Sequence, residues 1–221
     1  MESAEKLRRV IAAATAILDG DVVVEASSPA TELDELYPEE RRHIEAGSWA
    51  VERQREFAAA RACARRALRR LGLAPCPLVP HADRAPRWPD GIAGSITHTR
   101  ELCLVAIARR GRGASLGVDV ERVTATGADI EALVCTPAER RWLNAQPATQ
   151  RERNVRLLFS AKEAFYKCQY PLTRTFLDFQ EVELGIDVGG GSFTVMKPDP
   201  AAVRGRWIWL EDLVIAAAML P

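Results

Sequence analysis

The segment Glu101-Leu102-Cys103-Leu104-Val105-Ala106-Ile107-Ala108 has an echo near the other end of the chain, Glu211-Asp212-Leu213-Val214-Ile215-Ala216-Ala217-Ala218. Each is an apolar run of strand length, and each follows a long helical stretch in its own half. Apolar strands resemble one another, so eight residues alone do not establish a repeat. The order of elements around them still points to two α+β lobes meeting near residue 113: an N-terminal lobe, 1–113, and a C-terminal lobe, 114–221.

The remaining elements fit that division. Residues 4–18 have helical composition, and Asp21–Ala26, with three successive valines, reads as a strand. Pro38 precedes a short helix. A long helix starts near Ser48 and stops at Gly72, the favoured residue just past a helix C-terminus. The proline-rich stretch from Ala74 to Asp90 reads as an ordered loop. Leu102–Arg109 and Leu116–Val123 are strands, with a turn at Gly111-Arg112-Gly113 between them. Thr136-Pro137-Ala138-Glu139 has the residues of a capped helix start. A second long helix is expected from Glu152 to Gln169, ending before Pro171. Gly189-Gly190-Gly191 separates two strands, and Trp207–Leu220 supplies one or two more.

Thirty basic and thirty acidic side chains cancel, which argues against a general nucleic-acid binder. Cys63, Cys76, Cys103, Cys135 and Cys168 are odd in number and form no C-x-x-C pair, as expected of reduced thiols in a cytoplasmic protein. No apolar stretch is long enough to span a bilayer, and the start of the chain lacks the pattern of a signal peptide.

Four constellations carry candidate chemistry. In Gly117-Val118-Asp119-Val120-Glu121, residues two apart on a strand share a face, so Asp119 and Glu121 point the same way. Adjacent carboxylates repel unless a cation lies between them, and oxygen ligands suit a hard ion such as Mg²⁺. An exposed face of an amphipathic strand reads identically. In Phe159-Ser160-Ala161-Lys162-Glu163-Ala164-Phe165-Tyr166-Lys167, Glu163 and Lys167 lie one helical turn apart, as catalytic partners or as a surface ion pair. Gly94-Ser95-Ile96-Thr97-His98-Thr99, after Trp88-Pro89-Asp90-Gly91, is a polar segment that can wrap a phosphate, or simply a loop into the next strand. Arg53, Arg61, Arg65 and Arg66 on the first long helix, with Arg84 in the loop, can grip phosphate oxygens or form a solvated face.

Their order is the specific feature. G-V-D-V-E followed by F-S-A-K-E-A-x-x-K resembles the paired signature of the 4′-phosphopantetheinyl transferase superfamily. W-P-D-G-I-x-G-S-I-T-H resembles the further motif of its large, two-lobed branch, which activates siderophore, surfactin and other peptide or polyketide synthases. R-x-x-E-F with R-x-C-A-R-x-A-L-x-x-L-G, from Arg53 to Gly72, and Tyr170-Pro171-Leu172-Thr173 are similar to the enterobactin-type subgroup. The resemblance covers roughly residues 36–221.

The resemblance implies an α+β pseudo-dimer with the active site between two similar lobes, complete in a monomer. It implies Mg²⁺, with Mn²⁺ as the alternative ion, on Asp119, Glu121 and Glu163. It also implies coenzyme A as the donor and an acyl or peptidyl carrier protein as the acceptor. Glu163 would be base, metal ligand or both, and Lys167 would sit on the phosphate that develops charge. Lys162 would help on the same phosphates. Thr97 and His98 would hold the 3′-phosphate or adjoining groups, and Arg53, Arg61 and Arg84 the nucleotide end. Two other readings remain: a different Mg²⁺ enzyme acting on nucleotides, disfavoured by the absence of a P-loop or a G-x-G-x-x-G run, and an inactive coenzyme A or carrier-protein binding module.

Overall fold

A computed structural model describes residues 2–29, 35–111, 114–123, 128–198 and 203–220. The elements run α1 (Glu2–Ala16), β1 (Val23–Ser27), α2 (Pro38–Gly47), α3 (Val51–Arg70), β2 (Ile92–His98), β3 (Cys103–Arg109), β4 (Ser115–Arg122), α4 (Ala128–Val134), α5 (Pro137–Asn144), α6 (Arg151–Thr173), β5 (Glu183–Asp187), β6 (Ser192–Lys197), β7 (Arg204–Leu210) and β8 (Leu213–Leu220). Two antiparallel sheets result, ordered β1-β3-β2 and β4-β8-β7-β6-β5. The fold is α+β. Arg112 and Gly113 of the expected turn, and with them the expected lobe boundary, lie outside the described residues.

A long helix covers one face of each sheet. Helix α3 is rich in alanine, and Ala59, Ala60, Cys63, Ala64, Ala67 and Leu68 pack against Cys103, Val105 and Ile107 of β3. Helix α6 packs Leu157, Leu158, Ala161, Ala164 and Cys168 with Val214, Ala216 and Ala218 of β8. Between the sheets, Val10, Ala14, Ile17 and Leu18 from α1 and its following turn share one core with Leu104 and Ala106 of β3, Leu116, Val118 and Val120 of β4, and Ile215 and Ala217 of β8.

That packing corrects the sequence echo. Aligning Glu101 with Glu211 pairs Cys103, Val105 and Ile107 with Leu213, Ile215 and Ala217, yet it is Val214, Ala216 and Ala218 that face a long helix. A one-residue offset in a strand reverses every side chain, so the eight-residue match is two apolar strands looking alike. Two further expectations change. The segment around Gly94–His98 is a strand, β2, because it ladders with β3 from Ile92↔Arg109 to His98↔Cys103. Helix α6 continues through Pro171 to Thr173. Proline forfeits one backbone hydrogen bond there, while Gln169 donates to the Thr175 carbonyl at 3.0 Å and the Arg174 amide to the Tyr170 carbonyl at 2.9 Å, closing the turn.

Strands β2 and β4 are edge strands of their own sheets and lie side by side. Side-chain hydroxyls bridge them: the Val118 amide donates to Ser95 Oγ at 3.0 Å and the Val120 amide to Thr97 Oγ1 at 3.4 Å. On β4's other face, α6 comes in to backbone contact at Gly117. A Cβ built there would stand 2.0 Å from the Ala164 carbonyl oxygen and 2.5 Å from the Cys168 nitrogen. Neither group can rotate aside, so only glycine permits this approach. Gly117→Ala is expected to lower stability by about 1–3 kcal/mol, the usual range for overpacking. Denaturant unfolding of the variant beside wild type checks it.

Candidate active site

Alternation along β4 puts Leu116, Val118 and Val120 in the core and turns Asp119 and Glu121 toward α6. Helix α6 returns Glu163 and Lys167 to the same place. Lys167 Nζ is 2.7 Å from Asp119 Oδ1 and 3.9 Å from Glu163 Oε2. Arg156, two turns earlier on α6, is 3.3 Å from Glu121 Oε2. Three carboxylates thus meet two fixed cations at the seam between the halves.

The carboxylates are not fully compensated. Asp119 is buried, and its Oδ1 accepts from both Lys167 and Thr97 Oγ1, the latter at 2.9 Å, whereas its Oδ2 has no hydrogen-bond partner. Buried polar atoms without partners are rare in proteins. Burial, then the neighbouring Asp119 charge, raises Glu121 from 4.5 to about 7 despite Arg156. Burial also raises Glu163, opposed by Lys167. Among the described residues no three His, Cys, Asp or Glu side chains already form a ready metal cage; the two cations hold the carboxylates instead. The chemistry nonetheless fits a hard divalent ion, since an unpartnered carboxylate oxygen and two acids raised by burial and mutual repulsion are the groups such an ion relieves.

Beside this centre lies a cavity of about 330 Å³, walled by α3, the loop before β2, β2 itself and α6. Glu163, Lys167, His98, Arg53, Arg61 and Arg84 all contribute to its lining, so both halves of the chain build it. Arg53 donates to His98 Nε2 at 2.9 Å. A guanidinium only donates, so Nε2 accepts and Nδ1 carries the hydrogen, facing Glu56 Oε2 at 3.5 Å. His98 is therefore neutral, in keeping with burial lowering its pKa. Arg61 stacks on Phe57, with its guanidinium carbon 3.6 Å from the ring centroid, and gives Nε–H to the Leu78 carbonyl at 2.9 Å. Burial lowers it to about 10, which leaves it charged at neutral pH.

Two expected site residues lie elsewhere. Lys162 is enclosed on the far side of α6, where Nζ donates to Glu139 Oε2 at 2.8 Å and to the carbonyls of Val134 and Phe179 at 2.7 and 2.8 Å. It ties α6 to α5 and is not among the residues that line the cavity. Thr97 is likewise buried and turned to Asp119, so it orients the carboxylate rather than facing the cavity. Arg65 and Arg66 serve the fold, bound to Glu40 and Glu25.

Several roles at the site are not legible in the sequence. Ser95 sits in the noted motif but acts as a bridge between strands. Glu56 orients His98, and Arg156 pairs with Glu121 without any local motif to mark it. Trp88 packs on Gly94, where a Cβ would come 2.4 Å from its ring.

Comparison with known proteins decides what this seam belongs to. Residues 39–108 match the 4′-phosphopantetheinyl transferase N-terminal domain, and residues 115–218 match the 4′-phosphopantetheinyl transferase superfamily. The chain is 42% identical to the 4′-phosphopantetheinyl transferase Svp of Streptomyces mobaraensis over 82% of its own length and 77% of that protein's. It is 33% identical to the transferase PptT of Mycobacterium tuberculosis over 77% of this chain and 80% of that one. It is 35% identical to the transferase Npt of Nocardia iowensis over 78% of each. The chain belongs to the 4′-phosphopantetheinyl transferase superfamily. It is an enzyme of that type, with coenzyme A as substrate and a carrier protein as acceptor.

The raised Glu121 gives a signed test of the carboxylate cluster. A native pKa above the ordinary 4.5 means that the folded protein holds a proton the unfolded chain releases. Stability therefore falls as pH rises from 4.5 to about 7. Glu121→Gln removes that fall, so in chelator the variant should be more stable than wild type at pH 8 by roughly 1–3 kcal/mol, and the gap should vanish near pH 4.5. Urea unfolding at the two pH values measures it.

Proposed function

We propose that this transferase acts at the seam of β4 and α6, with coenzyme A in the adjoining cavity and a carrier-protein serine entering from the α6 side. The observation that supports it most is Asp119, a buried carboxylate with one oxygen unpartnered, next to Glu163 and Lys167 at the wall of a basic cavity. Asp119, Glu121 and Glu163 would hold Mg²⁺. That ion, when bound, would neutralise charge on the pyrophosphate and on the leaving phosphate.

The chain's own side chains would do the rest. Lys167, already between Asp119 and Glu163, would contact the phosphate that gains charge. Glu163, with its proton affinity raised by burial, would accept the proton of the carrier serine. The serine oxygen forms a bond to the phosphorus bearing the pantetheine, and the bond from that phosphorus to the bridging oxygen breaks. Adenosine 3′,5′-bisphosphate leaves. Arg53, Arg61 and Arg84 would hold the nucleotide end. His98, neutral and held between Arg53 and Glu56, would place that arginine for the 3′-phosphate.

Because one chain walls both sides of the cavity, we read it as an active monomer of two lobes, 1–113 and 114–221, acting in the cytoplasm. No described helix is long and apolar enough to cross a membrane. The carriers would be those of peptide, polyketide or siderophore synthases. The proposed docking segment is 170–177. Within it Leu177 packs on the core while Phe176 is 72% exposed, leaving Phe176 as its apolar contact.

The test is the mass of an apo carrier protein after incubation with coenzyme A and Mg²⁺. Wild type should add one phosphopantetheine. Asp119→Ala and Glu163→Gln should each slow this by about 100-fold or more, the scale of a lost base or metal ligand, with folding intact by circular dichroism. Near-normal transfer by Asp119→Ala would overturn the assignment.

A further inference from the structure

The loop before β2 has a firm base and a narrow tip. At its base, the Leu78 amide donates to Glu40 Oε1 at 2.9 Å, and the Leu78 carbonyl accepts from Arg61 at 2.9 Å. Both partners are buried. At the tip, residues 81–85 form a tight turn. The His81 amide donates to the Ala85 carbonyl at 2.9 Å, the Arg84 amide to the His81 carbonyl at 2.9 Å, and the Ala85 amide to Asp83 Oδ1 at 3.0 Å. Arg84 takes a left-handed conformation, φ +69°, uncommon for a residue with a side chain.

The other oxygen of Asp83 reaches across to the opposite half of the chain. Asp83 Oδ2 accepts from the Tyr170 hydroxyl at 3.0 Å and from Arg174 at 3.0 Å. Both donors are on the last turn and cap of α6. Asp83, Arg84, Tyr166, Tyr170 and Arg174 all line the same cavity, so the contact spans it from one wall to the other. Tyr170 also stacks on Tyr166, ring centroids 5.3 Å apart, and this steadies the receiving side. One carboxylate thus both shapes the turn that presents Arg84 and fastens that turn to α6.

We propose that Asp83 is a positioning residue for coenzyme A: it latches the Arg84 turn onto the end of α6 across the cavity, and opening of that latch governs exchange of the nucleotide. This rests on the reading of the cavity as the coenzyme A site. Three features suit a latch. The contact joins the two walls, so its rupture widens the cavity. Its members are partly exposed, so water can replace the bonds during turnover. Arg174 offsets the Asp83 charge, which would otherwise repel a phosphate from a basic cavity.

The experiment measures coenzyme A binding by calorimetry and its dissociation by stopped flow, for wild type, Asp83→Ala, Tyr170→Phe and the double variant. Tyr170→Phe deletes one hydroxyl and keeps the stack. The latch predicts that each single variant speeds dissociation of coenzyme A, and of adenosine 3′,5′-bisphosphate, by about three- to tenfold, on the order of one or two exposed hydrogen bonds. An opening that governs exit also governs entry, so the association rate should not fall below wild type, and the melting temperature should stay close to it. The double variant should be no faster than Asp83→Ala, since both break one contact. If wild type binds coenzyme A but both singles dissociate at its rate, or if the two effects multiply, the latch is overturned while the coenzyme A site stands. If wild type binds no coenzyme A, or Arg53→Ala leaves its affinity unchanged, the site reading itself falls and the latch with it.

Discussion

The backbone contact between Gly117 and α6 is the constraint on which the site depends. Strand β4 must carry its two carboxylates on the face that meets the helix, and the helix must come close enough for a lysine stem to reach them. With any side chain at 117, the Ala164 carbonyl and Cys168 amide would be pushed outward. Lys167 is held at 2.7 Å from Asp119 because the residues on either side of it cannot back away. The hydrophobic packing of Leu157, Leu158, Ala161 and Phe165 drives α6 down onto the sheet; the missing Cβ sets how far it descends.

Electrostatics then works against the fold. Asp119, Glu121 and Glu163 are drawn together by packing, and Lys167 and Arg156 offset them only in part. The consequence is visible in the upward displacement of Glu121 and Glu163 and in the unpartnered oxygen of Asp119. Such crowding of carboxylates costs the fold stability, as functional sites commonly do. The seam also explains why β2 and β4 do not merge into one sheet. Ser95 and Thr97 satisfy β4 through their hydroxyls, and Thr97 additionally fixes Asp119. The cavity opens beside this side-chain bridge.

Much of this was legible in the sequence. The two long helices, β3 and β4 follow from period and punctuation, Trp207–Leu220 reads as one or two strands where the fold has the paired β7 and β8, and the order of motifs carries the resemblance to the family. Strand β2 was not legible, because Gly94, Ser95 and Thr97 have the composition of a loop; they form a strand only because β3 offers a ladder on one side and β4 needs hydroxyls on the other. Lys162 departs from Glu163 and Lys167 for a geometric reason. Residues on a helix advance about 100° each, so Glu163 and Lys167 differ by about 40° while Lys162 and Lys167 differ by about 140°. A motif lists Lys162 beside its neighbours, and the helix turns it to Glu139. Arg156 and the Asp83 contact are long-range partners, and single-sequence spacing carries no information about them.

We propose that packing at Gly117 assembles a divalent-cation site from Asp119, Glu121 and Glu163 at the edge of the cavity read as the coenzyme A site. Electron paramagnetic resonance of Mn²⁺ titrated into the protein with coenzyme A tests it most directly, since free Mn²⁺ is seen and bound Mn²⁺ is not. One bound ion per chain is expected in the presence of coenzyme A, with broadening of the coenzyme A pyrophosphate ³¹P signals by that ion, and loss of both in Asp119→Ala. Equal Mn²⁺ binding and equal broadening in wild type and Asp119→Ala would contradict it.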